Sequence, residues 1–476
     1  KGELLEMEAK QGYRVEHDCI GECLIPENAY YGIHTQRATE NFNITRKTTN
    51  PEMIKSVAEI KKACAITNFE AGVLSEKKKD AIVFACDEII WGRYLDQFIV
   101  DPIQGGAGTS HNMNANEVIA NIAIEHLGGK LGDYSIVHPN DDVNMGQSTN
   151  DVYPTSGKIA LIRLLGDTIE SLKELESALL QKSEEFDDVI KMGRTQMQDA
   201  IPIRLGQEFK AYATVIARNI KLFKTACTVL KTVNMGATAI GTGLNADVSY
   251  MDKIVKNLAQ VTDMELVQAE DLIDGTQNID VFVHVSGLVK SCAISMSKIA
   301  NDLRLMSSGP TCGFAEINLP ARQAGSSIMP GKVNPVIPEV VSQVAFNCAG
   351  NDFAVTMAAE AGQLELNAFE PVIFYNLFES VETIGKAANT FVHNCILGIT
   401  ANAERTKNMV HNSYGIVTAF APHIGYEKSV EVIHKAIEQN LPVKAVLIAE
   451  KIMTEEEIDN ILDVFSMTTP GIAKRK

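Results

Sequence analysis

Long stretches of helical apolar spacing constrain the fold of this chain most strongly. Between residues 157 and 186, apolar side chains recur at every third or fourth position for about eight turns, at Ile159, Ile162, Leu165, Ile169, Leu172, Leu175 and Leu179. Segments 206–233, 276–306, 335–358 and 370–398 have the same character. Helices of this length exceed the usual globular mean of about 11–12 residues and are typical of long bundles. The sequence therefore predicts a mainly α fold with a long central helix bundle.

One segment is too apolar for a single bundle. Residues 281–296, "VFVHVSGLVKSCAISM", carry apolar side chains on nearly every face, which predicts burial on most sides. A bundle from one chain would leave part of this surface in water. We therefore expect the bundles of several subunits to pack together.

The rest of the chain flanks this bundle. Residues 1–148 alternate short helical patterns with loops, with helices expected near 51–72 and 76–91. From about residue 405 onward, short helices are expected at 427–439, 442–450 and 454–464. The last of them begins with a capping-box pattern, Thr454 and Glu457. We predict three domains, at 1–148, 149–404 and 405–476.

Composition excludes several functions. The 476 residues are 45% hydrophobic and carry a net charge of −17, which disfavours a nucleic-acid surface. No apolar run approaches the roughly 20 residues of a membrane helix. Nine cysteines are scattered without a dense framework, which suits a cytoplasmic protein. Cys19 and Cys23 near His17 suggest a metal site only weakly, because no second pair of ligands accompanies them.

Four polar segments interrupt the helical chain with small hydroxyl and amide residues. They are "GGAGTSHNMNANE" (105–117), "HPNDDVNMGQSTND" (138–151), "MGRTQMQDAIP" (192–202) and "GSSIMPGKVNP" (325–335). Each lies at a predicted helix end, where free N–H groups and the helix dipole favour carboxylates. The set is a candidate site for a small anion. The alternative is that the loops are ordinary caps and turns, which also prefer Ser, Thr and Asn; spacing alone names no reaction.

These four segments resemble, in the same order, the conserved regions of the aspartase/fumarase superfamily, and "GSSIMPGKVNP" resembles its signature. The resemblance runs from about residue 14 to 473. Enzymes of this superfamily eliminate ammonia, water or an amine and leave fumarate. The resemblance implies a three-domain fold and a homotetramer in which the central bundles of four subunits form one core. Each active site would then collect loops from three chains.

Several details resemble the aspartase branch more than the fumarases. The segment "QGGAGTSHNMNANEVIAN" is close to the aspartase form. Thr149 stands where fumarases usually carry a second serine, and Gln196 resembles the residue of some aspartases. The implied activity is elimination of ammonia from L-aspartate to give fumarate. A fumarase, another fumarate-releasing lyase, and a non-catalytic relative of the lens-crystallin kind are the alternatives.

The resemblance also implies roles for individual residues. Ser326 would be the catalytic base, with Lys332 as its charged neighbour. The substrate-binding set would comprise Lys332, Asn334 and Thr195 for the α-carboxylate, Ser148, Thr149 and Ser327 for the β-carboxylate, and Thr109, Asn150 and Gln196 near the amino group. No His or Asp adjoins Ser326 in the sequence. We therefore infer that loop N–H groups, the following helix N-terminus and Lys332 activate it.

Glycines give this region its expected mobility. Gly309, Gly313, Gly325 and Gly331 are predicted hinges of a lid that opens for substrate and closes to exclude water. His138 belongs to a loop that forms a second anion site in relatives, although a lone loop histidine is more often simply at the surface. Glu339 and Glu370 either tune the lysine or pack structurally. We expect no required cofactor; some relatives are stimulated by Mg²⁺, and the sequence identifies no site for it.

Overall fold

A computed structural model describes residues 12–473, and its contacts divide the chain into two compact units. The first unit comprises the chain up to Thr168, Leu222–Lys290 and Asn347–Thr383. The second comprises Ile169–Lys221, Ser291–Phe346 and the chain from Ile384 onward. These boundaries cut through the long helices, and the three-domain division at 148 and 404 stays a prediction.

Five helices of 25 to 37 residues form the longest elements of the fold, as the apolar spacing predicted. They are Thr149–Glu185, Leu205–Val229, Asp280–Met306, Val336–Glu360 and Glu370–Asn394. Their buried positions follow the helical period; Leu165, Leu172 and Leu179 of the first helix are all fully buried. The prediction of a mainly α fold is confirmed.

The first unit also contains an antiparallel hairpin, a short parallel strand pair and shorter helices. The hairpin is Tyr13–His17 with Glu22–Pro26, and the parallel pair is Thr232–Val233 with Val267–Gln268. The helices are Ile33–Asn41, Pro51–Glu70, Glu76–Ile90, Thr109–His126, Val248–Thr262 and Asp274–Gln277. Asn50 and Ser75 cap the N-termini of Pro51–Glu70 and Glu76–Ile90 by accepting from backbone N–H groups. Both predicted helices of this region are therefore confirmed.

The second unit holds the tail helices and the hairpin Ile190–Thr195 with Gln198–Arg204. A second strand pair joins Ile317–Asn318 to Thr400–Ala401. The helices are Ala403–Asn412, Val417–Ile424, Tyr426–Gln439, Val443–Ala449, Glu455–Ile461 and Val464–Thr468. The expected capping box is present, since Thr454 and Glu457 each accept from the other's backbone N–H group.

The structure differs from the sequence interpretation in several places. Segment 192–202, which we expected at a helix end, lies almost entirely in the hairpin Ile190–Arg204 and reaches the helix Leu205–Val229 only after the second strand. The helix Val248–Thr262 was not predicted, although its Ile254 and Leu258 pack in the core of the first unit. No helix within residues 12–473 combines the length and apolarity that crossing a membrane requires.

Candidate active site

In the first unit, the glycine cluster 105–108 leads directly into the helix Thr109–His126. Gly108 has a φ of 92°, and a β-carbon there would lie 2.5 Å from Cδ2 of Tyr153, so the close approach requires glycine. The Thr109 hydroxyl donates to the carbonyl of Gly106 at 2.7 Å. Thr109 is therefore held, exposed, at a helix N-terminus, where N–H groups favour an anion.

The predicted residues Ser148, Thr149 and Asn150 lie at the start of the helix Thr149–Glu185. Ser148 accepts from the N–H of Asn150 at 3.2 Å, and the Asn150 side chain donates to the carbonyl of Ala239 at 2.7 Å. Thr149 is buried, and its hydroxyl accepts from Asn112 at 3.2 Å. The structure thus links Thr149 by a hydrogen bond to the helix that begins at Thr109.

Asp151 fixes this segment and was missed by the sequence analysis. Its carboxylate is fully buried and accepts from the N–H groups of Ser148 at 3.0 Å and of Gly236 and Thr238 at 3.2 Å. Burial raises the pKa of Asp151 to about 6, although these backbone donors oppose the shift. The carboxylate therefore ties the Ser148–Asn150 segment to residues 236–238.

A buried lysine, Lys61, is the second missed residue. Its ammonium donates to the side-chain oxygens of Asn144 and Gln147, both at 2.8 Å. The same oxygen of Asn144 accepts from Asn112 at 3.1 Å, so a chain of hydrogen bonds connects Lys61 to Thr149. Burial lowers the pKa of Lys61 to about 8. The sequence carried little signal for it, because segment 57–66 also contains Glu59 and Lys62, and an exposed helix surface would explain all three charges equally well.

His138 has a local structural role. Its Nδ1 accepts from the backbone N–H groups of Asn140 and Asp141, at 3.2 and 3.1 Å, and so caps the π-helical turn Pro139–Val143. The ring is partly exposed. Capping accounts for a histidine at this position, and the second anion site that the resemblance implied stays a prediction.

In the second unit, Thr195 and Gln196 lie at the tip of the hairpin Ile190–Arg204, and both are exposed. The two turn residues, Gln196 and Met197, have φ values of 53° and 65°. Such a two-residue turn normally uses Asn-Gly, because side chains resist positive φ. The turn is therefore strained, a condition that is concentrated at functional sites.

The loop 325–335 presents the Ser326 hydroxyl to two backbone donors. Its Oγ accepts from the N–H groups of Ile328 at 3.2 Å and Met329 at 2.9 Å. The Asn334 side chain donates to the carbonyl of Gly325, which closes the neck of the loop. A β-carbon at Gly325 would collide with the carbonyl oxygen of Lys332, so this neck requires glycine. The two N–H groups favour negative charge on the Ser326 oxygen.

Lys332 and Asn334 line one cavity of about 550 Å³ in this unit, together with Arg304, Ser308 and Glu339. Glu339 lies 4.0 Å from Arg304. Thr195 lines a separate cavity of about 510 Å³, against residues 467–470. Ser327 is exposed. Within this unit the structure therefore places Lys332 and Asn334 together, while Thr195 opens onto another cavity.

Glu370 belongs to the first unit, at the start of the helix Glu370–Asn394. It is almost wholly buried, and burial raises the pKa of its carboxyl to about 8, with Lys158 as the opposing positive charge. The lysine that it faces within this unit is therefore Lys158. Within residues 12–473, no three His, Cys, Asp or Glu side chains cluster as metal ligands, and Cys19 and Cys23 form no disulfide.

Comparison with known protein families shows the class of protein to which this chain belongs. Residues 21–350 match a family model described as lyase, and residues 416–469 match one described as the fumarase C C-terminus. The chain belongs to this lyase family, and its sequence extends over nearly the full length of its relatives.

Several relatives of this chain are aspartate ammonia-lyases. The aspartate ammonia-lyase of Bacillus subtilis is 52% identical over 99% of this chain and 99% of its own length. That of Helicobacter pylori is 50% identical over 97% of this chain and 99% of its own length. Among solved structures, a cobalt-bound fumarate lyase:delta crystallin from Brucella melitensis superposes with a TM-score of 0.94 at 47% identity, covering 96% of this chain and all of its own. A class II fumarase from Schistosoma mansoni gives 0.92 at 35%, covering 96% and 99%.

Proposed function

We propose that this chain is an aspartate ammonia-lyase that catalyses the reversible anti-elimination of ammonia from L-aspartate to fumarate. The observation that carries the proposal is the near-50% identity to aspartate ammonia-lyases over the whole chain. The fumarase with the similar fold is only 35% identical. The substrate would be a small dicarboxylate, and ammonia the second product.

The chemistry begins with removal of a proton from C3 of aspartate, a very weak carbon acid. Its carbanion is stabilised only if the charge spreads into the β-carboxylate as a doubly negative aci-carboxylate. Preorganised donors aimed at that carboxylate supply the stabilisation. In our proposal Ser148, Thr149 and Ser327 provide these donors. Neutral hydroxyl and backbone N–H groups can donate hydrogen bonds to a dianion without bringing a charge of their own.

Ser326 is the proposed base. A serine hydroxyl removes a carbon-bound proton only when its alkoxide is stabilised, and here the oxygen accepts from the N–H groups of Ile328 and Met329. Hydrogen bonds donated to an alkoxide, the charged form of a hydroxyl, lower the pKa of that hydroxyl. The positive charge of Lys332, six residues along the same loop, adds to the effect. This geometry supports the activation that we inferred from the sequence.

The remaining roles follow the residue types. Lys332, Asn334 and Thr195 are proposed to hold the α-carboxylate, for which a lysine ammonium is the natural partner. Thr109, Asn150 and Gln196 are proposed to lie near the amino group, which leaves as ammonia. We propose that no cofactor is required; stimulation by Mg²⁺ and cytoplasmic location remain proposals on the grounds given from the sequence.

We propose a homotetramer, the assembly that the family resemblance implies; apolar side chains exposed along the long helices support the association of subunits. In the helix Val336–Glu360, Phe346 and Phe353 are 69% and 67% exposed, and Met357 is 50% exposed. Their spacing of seven and four residues places them on one helix face. Ile294, in the segment 281–296, is 53% exposed. Exposed apolar side chains grouped on one helix face in this way mark an association surface.

The test is a fumarate absorbance assay with L-aspartate and, separately, L-malate. We expect turnover of aspartate only; turnover of malate alone would make the chain a fumarase, and no turnover of either would favour a non-catalytic relative. Ser326→Ala should abolish elimination while leaving aspartate binding within about tenfold, since losing a general base costs about 10²–10⁴ in rate. More than a tenth of wild-type turnover in this variant would remove Ser326 as the base.

A further inference from the structure

Within the second unit, four charged side chains form an ion cluster around the buried carboxylate of Glu316. Glu316 is wholly inaccessible to solvent, and its Oε1 accepts from Arg194 at 2.8 Å. Its Oε2 lies 3.3 Å from the ammonium of Lys191, close enough for an ion pair but not aligned for a hydrogen bond. Lys191 donates in turn to Glu208 at 2.9 Å. Two cations and two carboxylates thus balance in charge.

Glu316 is itself fixed by its backbone. Its N–H group donates to the carbonyl of Met306 at 2.8 Å, and its carbonyl accepts from the N–H group of Asn402 at 2.9 Å. The preceding residue, Ala315, accepts at its carbonyl from the side chain of Asn402 at 2.8 Å. The carboxylate therefore projects from a rigid point, ten residues before Ser326.

Arg194 is clamped between two residues of this anchored segment. Besides its bond to Glu316, its guanidinium lies over the ring of Phe314, 4.2 Å from the ring centre. The carbonyl of Phe314 accepts from Arg405 at 2.6 Å, so the backbone that carries the ring is held as well. Because Arg194 directly precedes Thr195 in the strand Ile190–Thr195, these contacts hold the chain two residues before the strained turn at Gln196.

Stability alone is a poor explanation of this cluster. Buried ion pairs lose solvation that their mutual attraction repays only when every polar atom is satisfied. Here Oε2 of Glu316 and Oε2 of Glu208 are buried without a hydrogen-bond donor among residues 12–473. Buried carboxylate oxygens without donors are expected where the position of a side chain matters more for function than the stability of the fold.

We propose that Glu316 is a positioning residue for the elimination, holding Arg194 and thereby the placement of Thr195 relative to the substrate carboxylate. This inference rests on the proposed function. Glu316 touches no reacting atom; it acts through Arg194. The cluster offers a matched control, since Glu208 is a glutamate of the same cluster that pairs with Lys191 and not with Arg194.

The experiment compares Glu316→Gln with Glu208→Gln in the full-length protein. We expect Glu316→Gln to lower kcat/KM for L-aspartate on the order of tenfold to a hundredfold, because small misplacements of a binding group cost that much. Glu208→Gln should stay within about threefold of wild type, even if its melting temperature falls further. Equal kinetic losses in the two variants would overturn the proposal, since the cluster would then be merely structural.

A double-variant cycle tests the route through Arg194. The losses in kcat/KM caused by Arg194→Gln and by Glu316→Gln should not multiply. The double variant should lose no more kcat/KM than the worse single variant. Multiplicative losses would contradict the proposal. If Glu316→Gln fails to fold, Arg194→Lys tests the same link, because it keeps the charge but loses the fork of donors; unchanged kcat/KM in that variant would equally overturn it.

Hydrogen exchange separates this inference from the proposed function. Without substrate, the amides of residues 193–199 should exchange faster in Glu316→Gln than in Glu208→Gln or wild type. If wild-type protein does not turn over aspartate, the proposed function fails while the exchange result still reports on the clamp. If aspartate is turned over and exchange is unchanged in Glu316→Gln, only the positioning role of Glu316 fails.

Discussion

Gly157→Ala is expected to destabilise the protein although it improves helix propensity. Gly157 lies within the helix Thr149–Glu185, where replacing glycine by alanine at an exposed site normally stabilises by about 1 kcal/mol. A β-carbon at position 157 would lie 2.5 Å from Cε2 of Phe374 and closer still to Cζ and Cε1. Since carbon atoms pack at about 3.5–4.0 Å, the ring must move by at least about 1 Å.

Phe374 has little room for that movement. Its ring is 2% exposed and meets the rings of Tyr153 and Phe282 edge-on, at centroid distances of 5.4 and 4.9 Å. Phe378 stacks on it at 5.5 Å. Overpacking of this kind costs about 1–3 kcal/mol, and the confinement places Gly157→Ala near the upper end. After the gain in propensity is subtracted, we expect a net loss of about 2 kcal/mol.

Urea denaturation at one fixed protein concentration measures this loss, because subunit association would make stability concentration-dependent. Gly166→Ala is the matched control in the same helix; its β-carbon would meet nothing within 4 Å, so stability should be unchanged or improved. Phe374→Leu should relieve Gly157→Ala, giving a coupling between the two substitutions. A Gly157→Ala protein as stable as wild type, or losing no more than Gly166→Ala, would refute the reasoning.

Three further predictions concern binding, pH and assembly. Lys332→Met should raise KM for aspartate at least tenfold, since a charged hydrogen bond contributes about 1.5–3 kcal/mol; an unchanged KM would remove Lys332 from the site. Burial lowers the pKa of His111 to about 3, so the unfolded chain takes up its proton first as pH falls below 6.5, and about 2 kcal/mol of stability should be lost by pH 5. Acid denaturation followed by circular dichroism should show a smaller loss in His111→Gln; an identical pH dependence would contradict this origin. Ser326→Ala and Thr195→Ala, unfolded together and reassembled, should regain partial activity if loops of different subunits share a site; tetramers without activity, or an active monomer by light scattering, would exclude that sharing.

Local features of this protein were determined by the sequence itself. The long helices, the caps at Asn50 and Ser75 and the box at Thr454 depend on residues two to four positions apart, and a linear pattern records such distances directly. The lyase family was also evident from the order of four polar segments. The absence of any regular element in 325–335 followed from its glycines and prolines.

The tertiary structure alone decided which charges are buried and what they hold. Lys61 meets Asn144 and Gln147 across more than 80 residues, and Glu316 meets Arg194 across 122. Nothing in the neighbouring sequence distinguishes these residues from surface charges. A charged side chain normally lies in water, and only elements distant in sequence can enclose it. The turn at Gln196 escaped prediction for the same reason. Without Gly or Asn its positive φ has no local cause, and the surrounding fold imposes it.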